Sequence, residues 1–184
     1  MTTKEIESFL FKHFSQNDYR ISNSYIFNWE SDFFCISRSG YSIEVEIKVS
    51  VSDFKADFKK DLKHQILAKP NKIHVEPGHE SNFGWTFEGL FGDKKSYILK
   101  APSQSVSFIK GLDNCPNRFY YCMPQEIAEK VQIPSYAGLI VPDNPRNYIL
   151  KNAPLLHKQK NDLTKVLLDK FYYAYHNYRL KYSM

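Results

Sequence analysis

Hydrophobic positions recur along the chain with two different spacings, and the changes of spacing mark the predicted elements. Near the N-terminus the apolar residues of 6–14 repeat every three to four positions. This spacing predicts a helix that begins near Thr2, which has capping-box spacing with Glu5. Two apolar runs, 32–37 and 41–49, are then joined by the turn residues Ser39-Gly40. Residues 32–49 are therefore predicted to form a β-hairpin.

The second arm of the hairpin alternates between apolar and charged residues. Its apolar side chains share one strand face, and Glu44, Glu46 and Lys48 share the other. A helical spacing follows from about residue 51 to residue 66, and Pro70 ends it at the latest.

The remaining elements complete an α/β order with helices between and after strands. We predict a mixed β-sheet core flanked by helices in a single domain, 1–184, with an inserted segment around 69–117. Phe83, Trp85 and Phe87 alternate within that insertion as in a strand. Before the hairpin, residues 25–27 are predicted to be part of a strand. The later predicted elements are strands at 118–123, 136–141 and 148–150, a short helix at 125–131 and a basic helix at about 161–182. The predicted core face of this last helix is Leu163, Val166, Leu167, Phe171, Ala174 and Tyr178.

Composition excludes several classes of protein. With 184 residues, 42% of them apolar and 16% aromatic, the chain can build a core, so low-hydrophobicity disorder does not fit. No run approaches 18 apolar residues, and the acidic start MTTKEIESFL does not resemble a secretory signal. Three cysteines are an odd number and too few for a disulfide scaffold. We therefore expect no membrane partner and a reducing, intracellular location in the cytoplasm.

The net charge of +5 is unevenly distributed. Residues 1–47 carry −3 and residues 48–72 carry +4, whereas residues 73–150 carry −1 and residues 151–184 carry +5. Carboxylates beside lysines would repel phosphate, which is unfavourable for a protein that only coats DNA. A cation held by those carboxylates would reverse the objection. Two solvated helix faces are the alternative interpretation.

The hairpin carries the candidate chemistry. Asp32 opens one arm, and Glu46 and Lys48 share a face of the other, with the carbonyl of Ile47 between them. Two carboxylates and a carbonyl are hard oxygen ligands, which suit Mg²⁺ or Mn²⁺. An ammonium at Lys48 could orient or help to deprotonate a water on the metal. The alternative is an amphipathic strand whose charges face solvent.

The order Asp, hairpin, Glu-x-Lys resembles the PD-(D/E)XK, or restriction-endonuclease-like, nuclease superfamily. The stretch from Glu46 to His64 is similar to its MmcB-like DNA-repair branch, which runs Glu-Ile-Lys-x-Ser, then Ser-x-Asp-Phe, a second Asp and a basic helix. Residues 116–124 and 133–140 are similar to the closing strands of that branch. Ser31 stands where the superfamily often has Pro, and residues 65–115 have no counterpart.

The resemblance implies a restriction-endonuclease-like core that acts as a metal-dependent DNA phosphodiesterase, either an endonuclease or an exonuclease. The backbone would be hydrolysed by a Mg-bound water, in DNA repair or phage DNA metabolism. It implies metal ligation by Asp32 and Glu46, with Ile47 beside them, and a catalytic role for Lys48. The sequence shows no feature that would recognise a 2′-hydroxyl and so distinguish RNA from DNA, and RNA is therefore an alternative substrate. The alternative is a non-catalytic module on the same scaffold that binds DNA or a protein.

Further residues are candidates for supporting roles. Glu5 or Glu7 of the first helix could add an acid, and Glu44 is either another acid or merely a neighbour. Asp53 and Asp57 are expected to serve the N-terminus of their helix. The tyrosines and basic residues of the last helix fit either contact with a nucleic-acid backbone or a subunit interface in a homodimer. The predicted contacts with DNA lie on the basic helix, where a solvated surface is the alternative: Lys55, Lys59, Lys60, Lys63 and His64.

Overall fold

The central sheet has six strands, and the structure, a computed structural model, describes residues 1–76 and 107–182 of the chain. The strand order is β1-β2-β3-β6-β7-β8, and β4 and β5 form a separate antiparallel pair. The helices are α1 (Thr3–His13), α2 (Val51–Asp57), α3 (Asp61–Ala68), α4 (Gln125–Ala128) and α5 (Thr164–Tyr182). The strands are β1 (Asp18–Tyr25), β2 (Glu30–Ile36), β3 (Ser42–Ile47), β4 (Ile73–Glu76), β5 (Ser107–Lys110), β6 (Arg118–Cys122), β7 (Ala137–Ile140) and β8 (Ile149–Lys151).

The sheet is mixed, as the sequence predicts. Strands β1, β2 and β3 pair antiparallel, β3 pairs parallel with β6 and β6 parallel with β7, and β8 returns antiparallel. Helix α1 packs on one face of the sheet, and α2 and α3 pack on the other. The α/β fold with a mixed sheet flanked by helices is therefore confirmed. The predicted strand around Trp85 lies outside the described residues.

The predicted start of the first helix is confirmed by its cap. The backbone N–H of Glu5 donates to Thr2 Oγ1 at 3.3 Å, and the backbone N–H of Thr2 donates to Glu5 Oε2 at 2.7 Å. This reciprocal pair satisfies donors that the first turn of a helix leaves without partners. No helix in the described part of the chain is both long and apolar enough to cross a membrane.

The first strand differs from its prediction. A strand was expected around residues 25–27, but β1 ends at Tyr25, and Ile26 and Phe27 follow it into the core. Strand β1 is mostly polar and exposed because it lies at the edge of the sheet, so it lacks the apolar alternation of a buried strand.

The single helix predicted over residues 51–66 is two helices. Helix α2 ends at Asp57 and α3 begins at Asp61. On one continuous helix Asp57 and Lys63 would lie about 120° apart, since each residue advances about 100°. The break allows both side chains to reach the same point of the sheet, where each contacts the other elements of the site.

The last helix also differs from its prediction. Leu163 is buried, and Val166 and Leu167 pack against the core. Phe171 and Tyr178 were expected to continue this core face, but both are exposed. After its first turns the described side chains of the helix are exposed, including most of its aromatic residues.

Strand β3 is buried on both of its faces. Ile43, Val45 and Ile47 pack beneath α1, as the alternation predicts. The opposite face, which carries Glu44 and Glu46, lies beneath α2 and α3. The interpretation of a charged face directed to solvent is therefore wrong for β3.

Candidate active site

The hairpin register places the predicted carboxylates together. Phe33 is paired with Val45, and continuing this register sets Asp32 opposite Glu46 on the same face. The backbone N–H of Ile47 donates to Asp32 Oδ2 at 2.7 Å. The structure thus brings together the three predicted metal-site residues at the end of β3.

Glu46 lies at the centre of three lysine ammonium groups. Lys48 Nζ is 2.9 Å from Glu46 Oε1, and Lys60 Nζ is 3.2 Å from the same oxygen. Lys63 Nζ donates to Glu46 Oε2 at 2.6 Å. The side chain of Lys60 is 49% exposed, whereas Lys48 and Lys63 are buried. Lys48 and Lys63 therefore contact the Glu46 carboxylate from inside the protein, and Lys60 contacts it from the solvent side.

Asp57 is a member of this cluster that the sequence analysis missed. Its Oδ1 lies 3.1 Å from Lys60 Nζ, 3.5 Å from Lys48 Nζ and 3.8 Å from Lys63 Nζ. The hydroxyl of Tyr121 donates to Oδ2 at 2.9 Å. Asp57 ends α2, so its predicted role at the helix N-terminus is wrong. Asp53 does lie in the first turn of α2, as predicted.

Glu44 is the deepest carboxylate of the described structure. It is fully buried, and the indole N–H of Trp29 donates to its Oε1 at 2.7 Å. Lys63 Nζ is 3.9 Å from the same oxygen, while Oε2 is buried and has no hydrogen-bond partner among the described residues. Glu44 contacts the cluster through Lys63, and its side chain is enclosed by protein.

Burial and crowding of carboxylates raise two pKa values. Burial, together with the charge of Glu46, raises the pKa of Asp32 to about 6. Burial raises the pKa of Glu44 to about 7 despite the nearby ammonium of Lys63. Both carboxyl groups are thus less acidic than usual, mainly because burial disfavours their charged form, with the charge of Glu46 adding to the effect at Asp32.

The lysine ammonium groups lower the pKa values of the other two acids, Glu46 and Asp57. Burial alone would raise the pKa of Glu46, but Lys63 and Lys48 outweigh it and hold that pKa below its usual value. The pKa of Asp57 is likewise lowered against its burial, by hydrogen bonding from His64 and by the lysines. Burial is also outweighed at Lys48, whose pKa is raised by Glu46 and Asp57. Lys48 is therefore a charged donor at neutral pH.

The predicted contacts with DNA divide into exposed and enclosed residues. Lys55, Lys59 and Lys60 are exposed on α2 and the turn after it. Lys63 is only 2% exposed and its ammonium donates to Glu46, so it is not a solvated surface lysine and its predicted contact with phosphate stays a prediction. His64 is half-buried; its Nδ1 is 2.7 Å from the hydroxyl of Tyr136 and its Nε2 is 2.9 Å from the carbonyl of Asp57. Its ring nitrogens therefore bond within the protein.

The candidate acids of the first helix are not part of the cluster. Glu5 is bonded to Thr2 in the helix cap, and Glu7 is half-buried on a helix that covers the other face of β3. Among the described residues, neither forms a hydrogen bond or an ion pair with Asp32 or Glu46.

The donor set fits a divalent cation held by two carboxylates. Asp32 Oδ2 is bonded to the backbone, and no donor of the described residues bonds Oδ1. Among residues 1–76 and 107–182, Lys63 is the one donor to Glu46 Oε2, which leaves a lone pair of that oxygen available to a cation. Mg²⁺ is commonly held by one or two carboxylates with water completing its shell. No three His, Cys, Asp or Glu side chains converge on a metal position in residues 1–76 and 107–182.

Comparisons with known proteins support the fold but give no information about activity. No family model and no curated protein matches the chain. The structure is similar to that of the SPO1766 protein of unknown function from Silicibacter pomeroyi, with a TM-score of 0.55 and 15% sequence identity. The match covers 100% of this chain and 94% of that one. At this level of identity the similarity shows a shared fold and nothing more.

Proposed function

We propose that this chain is a metal-dependent phosphodiesterase that hydrolyses the backbone of nucleic acid, with Asp32 and Glu46 holding Mg²⁺ or Mn²⁺. The observation that carries the proposal is the group formed by Asp32, Glu46 and Lys48 at one end of the hairpin, in which Glu46 and Lys48 are buried and Asp32 is partly buried. Burying charged groups is expensive, and apolar residues of similar size often stabilise a fold as well or better. A catalytic role explains why the charges are kept. The PD-(D/E)XK resemblance supports the same residues.

The charge of each residue indicates its role in the proposed reaction. Asp32 and Glu46 would bind the cation, which would supply Lewis-acid activation of the phosphoryl group and of water. Lys48 carries a positive charge beside Glu46, so we assign it the orientation of water and the stabilisation of charge that develops on phosphate. Asp57 Oδ1 lies 3.5 Å from the Lys48 ammonium, and we assign Asp57 as a positioning residue for it.

The exposed lysines of α2 and of the turn after it supply a surface for the substrate. Lys55, Lys59 and Lys60 are exposed basic residues, and Lys60 lies 3.2 Å from Glu46. Such charge attracts phosphate and makes affinity dependent on salt. The same chemistry applies to DNA and RNA, and we take DNA as the first substrate to test.

The proposal is tested by incubating labelled single-stranded, plasmid and branched DNA with the protein in Mg²⁺ or Mn²⁺. We expect wild type to cut at least one substrate, EDTA to stop the reaction, and Lys48→Met and Asp32→Asn to be inactive. Lys59→Met is the matched lysine control, since Lys59 is exposed and should affect affinity more than rate. Equal cutting by wild type and Lys48→Met would show that the site assignment is wrong.

A binding module without catalysis is the second candidate. The observation that favours it is the occupation of Glu46 by three ammonium groups, one of which, Lys60, would move for a cation to approach Oε1. This candidate predicts no cleavage in Mn²⁺ and an affinity for DNA that EDTA does not change.

A further inference from the structure

Helix α5 presents aromatic side chains to solvent over most of its length. Every described side chain from residue 171 to residue 181 is exposed, and Phe171 and Tyr172 are 70% and 62% exposed. A helix that packs only through its first turns gains little stability from the core. Large exposed apolar surfaces generally mark sites of interaction. The helix is therefore a surface that fits a partner.

One side of this helix combines flat rings with cations. Residues 165, 168, 172, 175 and 179 follow the spacing that places side chains on a common helix face. Phe171 stacks on Tyr175 with centroids 6.2 Å apart and planes 9° apart. Tyr172 stacks on His176 at 6.1 Å and 5°. The aromatic group is bounded by Lys165 and Arg179, which an ideal helix separates by about 21 Å.

The positive charge of the helix favours an anionic partner. Four of its residues, Lys165, Lys170, Arg179 and Lys181, are basic, and Asp169 is its single acid. Lys165 and Arg179 lie at the two ends of the aromatic face, so an antiparallel second copy of the helix would place them opposite each other. Such like-charge pairs disfavour self-association through this face. A polyanion with flat apolar groups complements both the charges and the rings.

We propose that α5 binds single-stranded nucleic acid, with Lys165 and Arg179 on phosphates and Tyr172 and Tyr175 stacked on bases. Stacking requires unpaired bases, and aromatic rings bind them with little regard to sequence. This inference deepens the proposed function, because it names the form of substrate that would reach the same site. Leu163, just before α5, packs in the apolar cluster on the sheet face that carries the carboxylates, so the helix begins on the side of the site.

The experiment measures the affinity for a labelled 20-nucleotide oligothymidine by fluorescence anisotropy in EDTA, so that no cleavage is involved. The test variant is Tyr172→Ala with Tyr175→Ala, because alanine preserves helix propensity. Tyr173→Ala is the matched control: Tyr173 is 64% exposed beside Tyr172 but lies about 100° around the helix. Circular dichroism verifies that the helix is retained in each variant.

We expect the double variant to lose at least about tenfold in affinity and Tyr173→Ala to lose less than about twofold. Arg179→Gln should reduce the salt dependence of binding by about 0.7 in log–log slope. Failure of wild type to bind, or equal loss in test and control variants, would overturn the proposal. So would a dimer that dissociates in the double variant while its DNA affinity stays unchanged. None of these results depends on cleavage, so they separate this inference from the proposed catalysis.

Discussion

Lys63→Met is the substitution that most sharply tests the buried charge cluster. Lys63 lies 2.6 Å from Glu46, 3.8 Å from Asp57 and 3.9 Å from Glu44, and its ammonium also lies 5.0 Å from the ring centroid of Phe119. Methionine preserves much of the apolar stem but removes the charge. Three carboxylates would then lose a common partner inside the protein.

The magnitude follows from the burial of the pair. Removing one member of a buried ion pair typically costs about 3–5 kcal/mol, because the remaining charge is left without compensation. Glu46 keeps Lys48 and Lys60, so we expect a cost near the lower limit, about 3 kcal/mol in the free energy of unfolding at pH 8. In urea, with a slope of about 2 kcal/mol per molar, the midpoint should fall by about 1.5 M.

The matched control is Lys60→Met, which removes an ammonium from the same Glu46 oxygen that Lys48 contacts. Its side chain is 49% exposed, and pairs at such positions contribute about 0–1 kcal/mol. Urea unfolding followed by circular dichroism compares the two variants with wild type. If Lys63→Met costs no more than Lys60→Met, the description of Lys63 as an internal counter-ion is refuted.

Three further predictions follow from the site and the sheet. The raised pKa of Glu44 means that the folded state binds more protons than the unfolded state between about pH 4.5 and 7, so stability should decrease as pH rises through this range. Glu44→Gln should therefore stabilise the protein relative to wild type by about 3 kcal/mol more at pH 8 than at pH 4, measured by urea unfolding in EDTA. Asp57→Asn should lower kcat for DNA cleavage at least about tenfold with little change in KM, because Lys48 loses one of its two closest carboxylates. Gly138→Ala should cost about 2 kcal/mol or more in thermal or urea unfolding, since a Cβ there would lie 2.4 Å from the ring of Tyr120 and 2.6 Å from the backbone nitrogen of Ala153.

The hairpin and the order of elements could be predicted because they depend on local spacing. Alternation in residues 41–49 and the turn at Ser39-Gly40 determine which side chains share a face. That is sufficient to place Asp32, Glu46 and Lys48 together. The capping spacing of Thr2 and Glu5 likewise requires contacts within one turn only.

The rest of the cluster could not be predicted because it depends on tertiary packing. Asp57 follows Phe54 by three residues, so the apolar stripe itself offers a signal that position 57 faces the core. Its role depends on the helix break after it, which local propensity does not show. Tyr121 and Trp29 reach the carboxylates from a neighbouring strand and from the segment that precedes β2. The alternation also does not reveal that α2 and α3 cover the charged face of β3.

For the final helix, the sequence pattern predicts the helix but not what it packs against. Its periodic apolar residues predict a core face, but periodicity alone does not distinguish packing against the sheet from packing against a partner. The described structure buries Leu163 and leaves Phe171 and Tyr178 exposed. The same pattern that predicts a core helix is therefore also compatible with the interaction surface proposed for α5.

Calorimetric titration of the metal-free protein with Mn²⁺ tests the central claim most directly, since both the proposed chemistry and the retention of buried charge depend on a cation at Asp32 and Glu46. We predict saturable Mn²⁺ binding by wild type that Asp32→Asn abolishes, with folding of the variant verified by circular dichroism. Asp18→Asn is the matched control, because Asp18 is exposed on the edge strand β1, and it should bind as wild type does. Absence of Mn²⁺ binding by wild type, or equal binding by wild type and Asp32→Asn, would contradict the account.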